Sequence, residues 1–569
     1  MTLVDCGNGV RLERGVTCRM SDGVTLVSDH YYPAGEGSHP TLLMRQPYGR
    51  DIASTVVYAH PVWFARHGYH VVIQDVRGRG DSEGDFYPFR NERKDGAETI
   101  GWLRRHPRCN GRIGMYGFSY QGLTQLLAAA EQPEGLVCIA PGMTVCSLYH
   151  GWFYRNGALR LNSTLAWGIQ MLRADARRLG LRQASASLEA AWINLRPQAS
   201  VAPYAEHPML QDETLPQYVR DWITHCRPGE YWENLDVSRD LDKIAVPALH
   251  FAGWFDLYVN GSIDGFLALG RQAVTALARE NQFLIAGPWI HIPWGDRIAD
   301  QNLGAEALFD TDHRLLLWFN HWLKDSGEFA DEPKIRHFAL GENQWHKAKS
   351  WPKNLSAERY LRSEGHANSR KGDGRLTTEK PQSREARDLF VYDPEVPVLA
   401  PGGLLALSGP HDQAEMELGN NLLVYTGEPL QRRLHVFGYP RITLYAATSA
   451  PHADFTAKLV RVLSDGRAEF VCMGIARSSC LFAGAGYAAD RVQRWEFDLD
   501  PTSCVFLTGD RLRLEIASSA FPLYDRNPST EVDALAASPW NWKRSTQQVL
   551  HTSEHPSMLH LPIAEGSAG

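Results

Sequence analysis

The sequence contains no apolar run approaching the ~18 uninterrupted residues of a membrane span, so the reading places it off the membrane. It has no block of consecutive Lys and Arg either, and with a net charge of −7 neither nucleic acid nor an anionic lipid surface is a natural partner. Cysteines are sparse. There are nine in 569 residues, an odd number at wide spacings with no C-x-x-C pair, which argues against a disulfide framework and a zinc site. The first residues, Met1 to Gly9, lack the basic and apolar regions of a secretion signal, and the expectation is a cytoplasmic protein with reduced thiols. No repeat is visible. No metal or cofactor is expected.

What remains is a chain of ordinary globular composition, 44% hydrophobic and 22% charged, too long for one core. Strand and helix patterns alternate over the first part: Thr41–Gln46 and His70–Asp75 read as strands, Val56–His67 and Glu92–Arg105 as helices, and Arg112–Tyr116 and Leu136–Ala140 as strands. This alternation predicts a mostly parallel sheet covered by helices. From about Val145 to Asp240 only helical patterns occur (161–181, 184–195 and 215–224), with Trp152, Trp167, Trp192, Trp222 and Trp232 among them. Most of these tryptophans are expected to be core, with one or two lining a pocket.

Alternation resumes with the strand Val246–Ala252, a helix over 261–280, the strand Gln282–Ala286 and a helix over 306–324. After that, short alternating segments such as 433–437, 441–446, 458–463 and 511–516 indicate a β-sandwich or jelly roll. The polar stretch 357–387 reads as a linker or an exposed excursion. The expected organisation is an α/β-hydrolase core over 1–144, a helical cap over 145–240, the rest of the core over 241–350 and a jelly-roll β domain over 351–569.

The strongest local signal is Arg112-Ile-Gly-Met-Tyr-Gly-Phe-Ser119-Tyr-Gln-Gly122, a strand, a tight turn and the start of a helix. Such a turn exposes a serine hydroxyl at a helix N-terminus, where amides favour developing negative charge. The spacing departs from G-x-S-x-G, because Gln121 stands where the second glycine belongs and Gly122 follows it.

A serine needs a base, and the base needs an acid to orient it. In the order serine, acid, histidine, each at a strand's carboxyl end, the candidates are Ser119, Asp256 after Phe251-Ala-Gly-Trp-Phe, and His291 after Leu284-Ile-Ala-Gly-Pro-Trp-Ile. His250 reads as a core histidine inside a strand, His313 and His321 lie on a helix, Asp264 falls two helical turns late, and Asp296 reads as a neighbouring or surface carboxylate. The oxyanion donors are expected to be the Tyr120 amide, directly after the nucleophile, and the Tyr48 hydroxyl from the loop after an early strand. The glycine-rich Asp75-Val-Arg-Gly-Arg-Gly-Asp-Ser-Glu-Gly84 misses dinucleotide spacing and reads as a charged loop fastening the sheet edge.

Together these strings resemble the cocaine esterase / X-Pro dipeptidyl-peptidase family of serine hydrolases. The resemblance runs through Arg-Gln-Pro-Tyr48-Gly-Arg, the Asp75–Gly84 loop, Gly117-Phe-Ser119-Tyr-Gln-Gly122, Gly253-Trp-Phe-Asp256 and Gly287-Pro-Trp-Ile-His291. It continues through Tyr392-Asp-Pro, Gly402-Gly403, Gly409-Pro-His-Asp-Gln413 and Leu423-Val-Tyr-Thr-Gly-Glu-Pro429. The family's elbow is G-x-S-Y-x-G, which accommodates Gln121.

The resemblance implies an α/β-hydrolase core, a helical cap inserted after the sixth strand and a C-terminal jelly roll closing over the site. It also implies Ser119, Asp256 and His291 as triad, with Tyr48 and Tyr120 at the oxyanion hole. By the same match, substrate-lining aromatics of cocaine-esterase-type members fall at Trp152, Trp167 and Tyr258, the last a tyrosine where phenylalanine is the choice in those members. The implied substrate is a small-molecule ester or amide. Carboxylic ester hydrolysis is the leading expectation, amide or X-Pro-type peptide hydrolysis the alternative, and a non-catalytic binding protein using its β domain a rival of another class. An amine-bearing substrate needs a carboxylate partner, and Asp175, Glu189 and Asp221 of the cap are the acids in view. A homo-oligomer is left open.

Overall fold

The computed structural model describes residues 3–51, 55–352, 357–401, 409–484 and 486–564. The Gly402-Gly403 motif lies outside them. An eleven-stranded sheet organises the first part of the chain. Its leading edge is antiparallel: Leu3–Asp5, Arg11–Arg19 and Thr25–Tyr32. Then come parallel strands in the spatial order His70–Asp75, His39–Gln46, Cys109–Phe118, Leu136–Gly142, Ala248–Gly253, Gln282–Gly287 and Ile335–Ala339, closed by an antiparallel Gln344–Ala348.

Every residue of His70–Asp75, Ala248–Gly253 and Gln282–Gly287 is buried, as expected of strands covered on both faces. Helices Glu92–Arg104 and Tyr120–Ala130 pack on one face, and Pro61–Arg66 and Thr311–Lys324 on the other. The close approach on the second face requires Gly114: a Cβ there would stand 2.8 Å from the Phe319 ring.

The strand order reverses at His39–Gln46, whose chain successor pairs on one side and Cys109–Phe118 on the other. Clefts for ligands open at the carboxyl ends of such switch points. The strands carrying the predicted residues lie close together there, with Leu136–Gly142 between the second and the third: His39–Gln46 precedes Tyr48, Cys109–Phe118 precedes Ser119, Ala248–Gly253 precedes Asp256 and Gln282–Gly287 precedes His291.

The helical segment leaves the sheet after Leu136–Gly142, which is the seventh strand in chain order because the three-residue Leu3–Asp5 precedes the others. It contains Leu161–Arg178, Arg182–Ile193 and Tyr218–Thr224, with Trp222 and Trp232 fully buried as core. Two helices differ from expectation at their ends. The one over 261–280 is two helices, Val259–Gln272 and Ala276–Glu280, because Ala273 turns extended and the Thr275 hydroxyl caps the second by accepting from the Ala278 amide. The one expected from Glu306 begins at Thr311, where the Asp310 carboxylate accepts from the His313 amide at 3.0 Å.

The C-terminal part is built of β-sheets, one of eleven strands and a separate pair, Leu434–Gly438 with Thr502–Phe506. The expected linker over 357–387 is corrected in part. Ala357–Arg362 pairs with Met558–Leu561, and Arg375–Thr377 pairs with Leu423–Gly427. Only Tyr360, Leu361 and Leu376 of these two segments are buried, so their polar outer faces concealed them. Among the described residues, no helix is long and apolar enough to cross a membrane, and the nine cysteines are unbridged.

Candidate active site

Ser119 ends its strand at φ 61°, ψ −126° and begins the helix Tyr120–Ala130. A non-glycine residue in that region is strained, and such strain concentrates at functional turns. The flanking glycines explain the shifted spacing. At Gly117 a Cβ would lie 2.5 Å from the Gln121 Cβ, and at Gly122 it would lie 2.7 Å from the Thr144 Cβ and 2.9 Å from the Gly142 carbonyl oxygen. The helix therefore crosses the neighbouring chain at Gly122, while Gln121 turns inward and accepts from the Phe118 amide at 3.2 Å. Gly122→Ala is expected to cost about 1–3 kcal/mol, since an added methyl there meets backbone. A thermal midpoint equal to that of the parent would refute this packing account.

The three residues expected from the sequence meet. His291 Nε2 lies 3.0 Å from Ser119 Oγ, and His291 Nδ1 lies 2.7 Å from Asp256 Oδ1. Asp256 is fully buried and its second oxygen accepts from the Tyr258 amide at 3.1 Å. The rival histidine His250 is buried in its strand and bonded to the Gln282 side chain at 2.9 Å.

Tyr48 is half-buried beside the serine. Its hydroxyl accepts from Trp167 Nε1 at 3.3 Å. Burial pushes its phenol up to about 12, with hydrogen bonds to Trp167 and Ser119 opposing the rise. The Tyr120 amide occupies the first helical position, one of the amides that lack an intrahelical acceptor. The expected aromatics gather round the same point. Trp152 and Tyr258 have ring centroids 4.3 Å apart, Trp152 and Trp167 5.2 Å, and Tyr258 meets the His291 ring edge-on at 5.2 Å.

The Asp75–Gly84 loop fastens the sheet edge by charge. Arg50 bridges Asp29, Asp75 and Asp81, Arg77 bridges Asp22 and Asp95, and Arg79 reaches Asp175 of the cap at 3.1 Å. Its glycines make room for packing: a Cβ on Gly80 would fall 1.9 Å from an Asp75 carboxylate oxygen. Asp75 also holds the Tyr48 loop, accepting from the Arg50 amide at 2.8 Å and from Gln46, whose own oxygen accepts from the Tyr48 amide.

The sequence reading missed a buried support beneath the elbow. Arg45 bonds Glu92 at 2.7 Å and Gln74 at 2.8 Å, while the Tyr120 hydroxyl donates to Glu92 at 2.8 Å. Burial raises the Glu92 carboxyl, and the Arg45 charge opposes this. Phe89, at φ 69°, stacks on Tyr120 at 4.5 Å and donates its amide to the Tyr120 hydroxyl at 3.0 Å. The only sequence signal for these was the presence of charges inside otherwise apolar strand and helix patterns.

Comparison with known proteins places this arrangement. Residues 22–293 match the model of X-Pro dipeptidyl-peptidase (S15 family), and residues 327–560 match the X-Pro dipeptidyl-peptidase C-terminal non-catalytic domain. A cocaine esterase of Rhodococcus sp. (strain MB1 Bresler) is 34% identical over 566 residues, covering 96% of this chain and 97% of that one. The chain belongs to the S15 family. It is accordingly a serine hydrolase, with an α/β-hydrolase core and a C-terminal β domain. Two solved structures share the S15 fold across nearly the whole chain. An aminopeptidase from a marine sediment Thaumarchaeota archaeon superposes with a TM-score of 0.80 at 24% identity, covering 97% of this chain and 96% of its own. An α-amino acid ester hydrolase superposes with 0.78 at 23%, covering 99% and 98%.

Proposed function

We propose that the protein hydrolyses carboxylic esters of small molecules through an acyl-enzyme, with Ser119 as nucleophile, His291 as proton carrier and Asp256 as the acid that orients it. The reading rests on the unbroken line of contacts from the Ser119 hydroxyl through both nitrogens of His291 to the buried Asp256. In this reading His291 Nε2 takes the hydroxyl proton as Ser119 attacks the carbonyl, and returns it to the leaving alcohol. Asp256 accepts from Nδ1–H, which leaves the Nε2 lone pair facing the serine.

The oxyanion of the tetrahedral intermediate is received by the Tyr120 amide and the Tyr48 hydroxyl. With its phenol pushed up to about 12, Tyr48 keeps its proton at neutral pH and remains a donor. Tyr48→Phe is expected to lower kcat by about 10²–10³-fold, the usual effect of removing one oxyanion donor, with a smaller change in KM. A kcat within threefold of the parent would remove Tyr48 from this role. Trp152, Trp167 and Tyr258 then form the wall against which the acyl group lies.

Ester over amine-bearing peptide substrates is favoured by how the cap acids are used. Asp175 is held by Arg79 and the Tyr218 hydroxyl, Glu189 by Arg173 and Arg177, and Asp221 accepts from Tyr87. Each already has its counter-charge or donor, so none is poised for a substrate ammonium. The similarity to a cocaine esterase points the same way. Kinetics on p-nitrophenyl esters against aminoacyl-proline anilides tests this: the esters are expected to be turned over far faster, and preference for the anilides would favour a peptidase.

A further inference from the structure

His291 stands in a stretch with no regular structure of its own. The strand Gln282–Gly287 ends before it, and from 288 to 296 the chain is neither helix nor strand. Among the described residues, no backbone-to-backbone hydrogen bond involves residues 290–295. Yet Nε2 has to stay beside the Ser119 hydroxyl while a proton passes, and a displacement of about 1 Å at such a contact costs about a hundredfold in rate. Side chains must therefore hold the histidine.

Two tryptophans of this stretch are placed to do so. Trp289 is fully buried. Its carbonyl accepts at 3.1 Å from the amide of Phe255, the residue directly before Asp256, and its indole N–H donates to the Ala307 carbonyl at 3.1 Å. Gly253 permits this approach, since a Cβ there would stand 2.4 Å from the Trp289 carbonyl oxygen. Trp294 is half-buried, and its indole N–H donates to the His291 carbonyl at 3.1 Å. Its ring lies nearly parallel to that of Trp289, with centroids 5.3 Å apart and planes at 11°. The same ring stacks on Phe251 at 5.8 Å and meets Phe118 and Tyr58 edge-on at 5.9 and 5.6 Å. Ring pairs in these arrangements are favourable beyond the area they bury.

These contacts reach every member of the triad. Phe118 directly precedes Ser119 and also touches the His291 ring, at 5.4 Å. Phe251 belongs to the strand that leads to Asp256. Trp294 thus joins the strand end of the nucleophile, the strand of the acid and the backbone of the base.

We propose that Trp294 is a positioning residue for His291. Its N–H fixes the histidine's backbone, and its ring indexes the 288–296 stretch against Phe118 and Phe251, so that Nε2 keeps its place beside the serine. The proposal rests on the triad reading above.

The test replaces Trp294 with Phe and, separately, with benzothienylalanine, which keeps the bicyclic ring but has sulfur where the indole has N–H. Three quantities are read. They are kcat and KM on p-nitrophenyl butyrate, the second-order rate of fluorophosphonate labelling at Ser119, and the far-downfield proton resonance of the His291–Asp256 hydrogen bond, identified by its loss in His291→Ala. Trp294→Phe is expected to lower kcat and the labelling rate together at least tenfold, with KM within threefold, and to shift or broaden the resonance. The benzothienyl protein is expected to lose about three- to tenfold in both rates, the effect of one neutral hydrogen bond, at an unchanged thermal midpoint.

Rates within twofold of the parent in both variants overturn the proposal. So does a lowered thermal midpoint with the rates unaltered, which would make Trp294 a packing residue, and so does a raised KM at parental kcat, which would make it a substrate contact. If Trp294→Phe fails to fold, the benzothienyl protein, whose ring has the parental shape, decides. A parent unlabelled at Ser119 sinks the triad reading alone, and the resonance, which requires no turnover, then decides whether Trp294 holds His291.

Discussion

Alanine at position 119 is expected to reduce kcat by about 10⁴–10⁶-fold, the range seen when a nucleophile is removed from a unit of this kind. The fold should be unaffected. The Ser119 hydroxyl bonds His291 at 3.0 Å and also meets Tyr48, contacts confined to the site, and alanine carries the same backbone strain at φ 61°, so the thermal midpoint should stay close to the parent's. A fluorophosphonate probe should label the parent at Ser119 and leave the variant unlabelled. A variant retaining even a tenth of parental turnover would remove Ser119 from the mechanism.

Asp256→Asn is expected to cost about 10⁴-fold in kcat with little change in stability. The reason lies in what the two carboxylate oxygens do. One accepts from His291 Nδ1 and the other from the Tyr258 amide. An asparagine has one oxygen and one NH₂. Keeping the oxygen on the Tyr258 amide turns the NH₂ toward Nδ1, which must then be the acceptor nitrogen. The proton moves to Nε2 and faces the serine, where no base remains. Stopped-flow measurement of the acylation burst checks this, since the burst itself should slow. An unchanged burst with slowed release would place Asp256 outside the acylation step.

Much of this site was legible because strand ends carry it. Thr41–Gln46, His70–Asp75, Val246–Ala252 and Gln282–Ala286 announce themselves as short apolar runs, and residues just past their carboxyl ends are brought together by a parallel sheet whatever their separation in sequence. The Asp75–Gly84 loop was also legible as a charged fastening, since its glycines lack phosphate-loop spacing.

Other features were hidden for physical reasons. Arg45, Glu92 and the Tyr120 hydroxyl come from three elements, and no periodicity records which buried charge meets which. The strands Ala357–Arg362 and Arg375–Thr377 bury too few side chains to show alternation.

The hydrogen bonds that stitch residues 159–162 to 522–525 have a consequence for how this chain can be cut. A truncated protein ending near residue 350 would keep Ser119, Asp256 and His291 yet lose the segment to which the start of the cap helix Leu161–Arg178 is hydrogen-bonded. The C-terminal half then anchors the cap, and shortened versions should be judged by whether that helix keeps its place as well as by whether they turn over.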